Sequence, residues 1–197
     1  MKSVTSEYTV AKKHFLSPWR LWNESASIAR SVAIGYAVAG GIALVAAARV
    51  ARRAVAGQGQ GSPAVLWLFI GLVFVFLAAD RLLGILPRFT GFARGLLRSE
   101  GLYWGMRRPL QIVATIAVLF VGLIAISIPF ALPESRSLPR LLAWYVTVAA
   151  GCMVVLRSVS LHELDWWLYR RDLLGLPNNV LAESAAIFAV IVCGIIG

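Results

Sequence analysis

Five long apolar stretches, divided by polar and basic segments, organise this chain: 31–50, 62–79, 109–131, 138–157 and 179–197. Each approaches the roughly 20 mostly apolar residues that an α-helix needs to cross about 30 Å of hydrocarbon. The pattern therefore predicts an all-α fold, a polytopic transmembrane helical bundle of about five spans. A sixth element has a different rhythm. Over 81–98, at about 100° per residue, Leu82, Ile85, Leu86, Phe89, Phe92, Leu96 and Leu97 gather on one side and Arg81, Arg88, Arg94 and Arg98 on the other. That is the pattern of an amphipathic cytoplasmic surface helix, with its arginines directed at lipid phosphates. Pro87 is expected to kink or divide it, because a proline inside a helix loses a hydrogen bond and clashes with the preceding turn.

The spans differ in character. In the first, Ala33, Ala37 and Gly41 recur four apart, and Gly35 and Ala39 form a neighbouring strip. Lipid supplies no hydrophobic drive between helices, so small faces of this kind mark close helix packing, with a hinge at Gly40 and Gly41 as the alternative. The second span carries Trp67, Phe69, Phe74 and Phe76 on more than one side and needs cover all round. Between these two spans, Gly57, Gly59 and Gly61 give the composition of a flexible linker. Ahead of the membrane domain (31–197), the segment 1–30 is expected to be cytoplasmic. There Ser17 and Pro18 start a short helix whose Trp19 and Trp22 form an interfacial anchor.

Composition and charge settle the solvent and suggest an orientation. With 59% hydrophobic and 14% charged residues, against about 25% charged in soluble domains, the chain is built for a bilayer. Fourteen of its 19 Lys and Arg fall in the segments on one side of the spans and five on the other. Short basic segments are retained in the cytoplasm, so the N-terminus is expected inside and the C-terminus outside, in a bacterial inner (plasma) membrane. No cleaved signal peptide is expected, since no short apolar core with a small-residue cleavage site lies near Met1. The net charge of +10 is accounted for by topology and by contact with anionic headgroups, so the partners expected are membrane lipids and other membrane subunits, and no nucleic acid. Cys152 and Cys193 lie within spans, without metal-ligand spacing, and read as small hydrophobes.

The polar residues with chemical potential collect at the basic ends of the spans. Glu100, Arg107, Arg108, Gln111, Arg157, His162, Asp165 and Glu183 are expected near the cytoplasmic face as one polar cluster, with Arg108, Arg157 and His162 as alternative partners for Glu183. A helix continuing past Arg157 puts Ser158, His162 and Asp165 on one face, the residue types of a hydrolytic triad. Three side chains stacked on one helix do not converge on a reacting atom, and Ser158 has a simpler role in bonding its own preceding turn. His162 with Asp165 could hold a metal or a tetrapyrrole, but neither cofactor is expected, and no catalytic residue is assigned. Trp166, Trp167 and Tyr169 with Arg170 and Arg171 read as a membrane-interface belt.

Taken together, these features suggest a non-enzymatic accessory or scaffold subunit of a larger inner-membrane complex. The alternative is a small transporter or proton-coupled channel in which Glu100, His162, Asp165 and Glu183 face a cavity. No internal repeat of spans supports the inverted-repeat form of a transporter. A third reading is a membrane enzyme that uses a metal or tetrapyrrole at His162.

Overall fold

A computed structural model describes residues 26–57, 62–131, 137–159, 168, 170 and 175–197. The expected anchor at Trp19 and Trp22, the residues His162 and Asp165, and most of the aromatic belt lie outside the described residues. Among the described residues six helices are formed: α1 (Ala26–Val55), α2 (Ser62–Leu83), α3 (Ile85–Ser99), α4 (Tyr103–Ala131), α5 (Leu138–Val159) and α6 (Asn178–Ile196). All but α3 are long and apolar enough to cross a membrane, so the chain is a multi-pass membrane protein with an all-α fold. α1 outruns its apolar stretch at both ends, carrying Arg52 and Arg53 in its last turn. Hydropathy marks the part of a helix that sits in hydrocarbon, and a helix can continue into the headgroups.

Four spans close a ring in which α1 packs on α2, α2 on α5, α5 on α6 and α6 on α1. Its centre is filled by Tyr36, Trp67, Ile70, Phe74, Thr147 and Val190, each fully or almost fully buried. α1 and α2 form the most extensive pair. They cross at Gly40 and Gly71, where a Cβ added to Gly71 would lie 2.7 Å from the Leu44 side chain and 3.2 Å from the Gly40 carbonyl. Glycine at this crossing is what lets the two backbones approach. The strip of α1 that packs is Val32, Tyr36, Ala39, Ala43 and Ala46, whereas Ala37 and Gly41 face outward. The small strip expected through Ala33, Ala37 and Gly41 is therefore only partly the packing face. Its rotation toward α2 is set by Tyr36, whose ring stacks edge-on against Phe74 with centroids 5.5 Å apart.

α4 stands outside this ring, against α5. Two local features seat it. Gly122 is buried where α4 meets Cys152, leaving 2.9 Å between the position of a Cβ and the Cys152 sulfur. Pro129 has no N–H to give the carbonyl of Ala125 four residues back. The indole N–H of Trp144 on α5 donates to that freed carbonyl instead, at 2.8 Å.

The joint between α2 and α3 differs from the expected helix over 81–98. The proline ring of Pro87 would clash with the carbonyl four residues earlier, that of Leu83, and α2 ends at Leu83. Gly84 follows in the left-handed region (φ 62°, ψ 44°), which glycine adopts without a Cβ penalty, and α3 restarts at Ile85 with Pro87 in its first turn. Asp80 closes the corner, its Oδ1 accepting the Leu86 N–H at 2.7 Å. Arg81 consequently belongs to the last turn of α2 and is not one of the lipid-facing arginines of the surface helix. Of the other three, Arg88 and Arg98 are exposed, whereas Arg94 is half-buried and donates to the Ser158 carbonyl of α5 at 3.5 Å.

Candidate functional site

The ends of α2 and α5 and the start of α6 meet at one end of the ring, and each delivers a charged side chain from its terminal two turns. Arg81 comes from the last turn of α2, Arg157 from the last turn of α5, and Glu183 from the second turn of α6. This arrangement agrees with the helix dipoles, which favour cations at helix C-termini and an anion near an N-terminus. The Glu183 side chain is 0% exposed, and those of Arg81 and Arg157 are 8% and 12% exposed.

The contacts are specific. Arg81 holds Glu183 in a fork, donating from Nε to Oε2 at 2.9 Å and from Nη2 to Oε1 at 2.6 Å. Arg157 donates from Nη1 to the same Oε1 at 3.2 Å. A carboxylate taken out of water is stable only when paired and hydrogen-bonded in this way. The buried side chain of Asp80, next to Arg81 in sequence and 3% exposed, adds a second acidic group at this end of the bundle. Asp80 sits at an unfavourable helix C-terminus, but it simultaneously serves the N-terminus of α3 through Leu86. α1 contributes Tyr36. Its fully buried hydroxyl lies beside the Glu183 carboxylate, in a contact that falls short of standard hydrogen-bond geometry.

The residues singled out from sequence divide into four groups. Arg157 and Glu183 meet. Glu100, Arg107 and Arg108 are exposed, with Glu100 closing the C-terminus of α3 and the two arginines on the first turns of α4. Gln111 is half-buried and donates to the Val159 carbonyl at 3.4 Å, tying α4 to the end of α5. His162 and Asp165 are outside the described residues. The hydroxyl of Ser158 donates to the Val155 carbonyl of its own helix at 2.7 Å, the simple role expected for it. Among the described residues, no three His, Cys, Asp or Glu side chains gather as metal ligands would.

Sequence reasoning missed Arg81, Asp80 and Tyr36 as members of this end. Arg81 fell in register with the amphipathic pattern downstream. Asp80 had a detectable signal, an acid within the final apolar turn of a span, six residues before the Leu86 N–H it accepts. Tyr36 is the one aromatic residue in α1.

Comparison with known protein families, curated proteins and solved structures finds no match.

Proposed function

We propose that this protein is a non-enzymatic accessory or scaffold subunit of a larger assembly in a bacterial inner membrane, oriented with its basic end in the cytoplasm. The observation that carries this reading is the closure of the Arg81–Glu183–Arg157 cluster. An ionisable residue inside a membrane domain marks a transport path when it faces a water-filled cavity. Glu183 has no exposed surface, and three donor contacts from two arginines occupy its two oxygens. Its chemistry is spent on fastening α2, α5 and α6 together. This weighs against the transporter alternative, which needs Glu183 open to water.

The uneven enclosure of the spans agrees with a subunit role. The apolar windows of α1, α2, α5 and α6 are 33–50% buried, whereas that of α4 is 11% buried. α4 is a span held to the bundle along one strip, with the rest of its circumference available to neighbouring chains. The test is affinity isolation from membranes in a mild detergent, followed by identification of the retained chains. A fixed set of membrane partners at constant stoichiometry is expected. A single species containing only this chain would overturn the reading.

A further inference from the structure

The cleft between α4 and α5 changes character along its length. Toward the basic end, a cavity of about 400 Å³ opens under α3 and is edged by Arg94, Arg107 and Gln111. Deeper in, a groove of about 370 Å³ continues between these two helices, lined by Ala117, Val121, Ala125, Val148 and Val155, with Phe69 and Val73 of α2 also in its wall. Ala114 lines the first and Ala117 the second, one turn apart on α4; Ser158 and Val155 stand in the same relation on α5. From Arg107 to Ala125 the cleft spans about 27 Å at about 1.5 Å per residue, close to the depth of the hydrocarbon layer.

The setting of α3 fixes the level of the cavity mouth. One side of α3, carrying Leu86, Ala93 and Leu97, packs on the bundle. A separate ridge of Phe89, Phe92 and Leu96 is 67%, 66% and 53% exposed. Arg88 and Arg98 occupy the remaining arc, away from both. A helix with an exposed apolar ridge beside a basic arc lies at the boundary of headgroups and acyl chains. The arginines at the mouth are therefore at phosphate level. Arg107 is exposed, and Arg94 reaches the Ser158 carbonyl through Nη2 at 3.5 Å, which leaves the rest of its fork for another acceptor.

We propose that this cleft is a binding site for one anionic glycerophospholipid, with its phosphate between Arg94 and Arg107 and one acyl chain in the groove between α4 and α5. Charge at the mouth and a dry apolar groove one turn below it match the two ends of such a lipid. A soluble phosphate would fill only the mouth, and a neutral lipid would not need the arginines. The site does not depend on the subunit reading.

The experiment is native mass spectrometry of the full chain released from nanodiscs containing equal phosphatidylglycerol and phosphatidylcholine. One phosphatidylglycerol should be retained in preference to phosphatidylcholine. R94Q and R107Q should each lower that preference about fivefold, as expected for a basic side chain at phosphate level. R88Q, on the free arc of α3, should leave it unchanged. A117W, which fills the groove without touching either arginine, should remove the bound lipid. Absence of a preference in the unaltered protein would overturn the proposal without recourse to any variant. Equal loss in R88Q would reduce the effect to general surface charge, and full displacement by excess glycerol 3-phosphate would mean a phosphate site without a lipid; either result overturns it.

Discussion

Arg81 and Glu183, 102 residues apart in sequence, meet in a two-pronged contact that joins the end of α2 to the start of α6 inside a membrane domain. Arg157 completes the contact from α5, so one carboxylate ties three of the four ring helices. Lipid supplies no hydrophobic drive between helices, and here charge-assisted hydrogen bonds join three helix ends.

Removing the acid should therefore be worse than removing the cluster. Glu183→Ala leaves two buried guanidinium groups without their anion, at a cost of about 3–5 kcal/mol. Arg81→Met combined with Arg157→Met and Glu183→Leu should recover most of that loss. Thermal unfolding in detergent reads both; a single substitution no worse than the triple one would show that the cluster is not holding the helices.

Tyr36→Phe should leave stability unchanged or slightly raised, because the hydroxyl it removes is buried without a hydrogen bond of standard geometry. The same unfolding assay checks this. A loss above about 1 kcal/mol would instead assign that hydroxyl a full hydrogen bond in the cluster.

The Trp144 to Ala125 bond gives a prediction with a built-in rescue. Trp144→Phe leaves the Ala125 carbonyl without a donor, which costs about 1–3 kcal/mol. Pro129→Ala in the same chain restores a backbone N–H four residues on and should return part of the stability. If the double variant is no better than Trp144→Phe alone, the indole acts there by packing and not by supplying the missing donor.

Glycines of α1 and α2 should respond according to what their Cβ would meet. Gly71→Ala puts a Cβ 2.7 Å from Leu44 and should weaken the α1–α2 crossing, whereas Gly41→Ala meets nothing within 4 Å and should stabilise by about 0.5–1 kcal/mol through helix propensity. Comparison of the two melting temperatures decides it. Gly84→Ala, at φ 62°, should cost about 1–2 kcal/mol at the α2–α3 joint.

The number of spans and the position of the amphipathic helix were legible because both depend on local periodicity. The joint between α2 and α3 was half legible. Pro87 announces a break, but the break falls four residues upstream at the carbonyl it would strike, and that displacement moves Arg81 from a surface helix to a buried cluster. Partner choice for Glu183 was not legible. Arg108, Arg157 and His162 are all placed near it by topology, and only the ring order of α2, α5 and α6 brings Arg81 and Arg157 to it. Tyr36 was invisible for the same reason, since its role depends on how α1 turns toward Phe74.

The subunit reading meets its most direct test in native mass spectrometry of the chain extracted from its own membranes together with the surrounding lipid. Peaks containing this chain with one or more other membrane proteins at fixed stoichiometry are the expected result. The chain detected alone, bare or carrying lipid only, would contradict it.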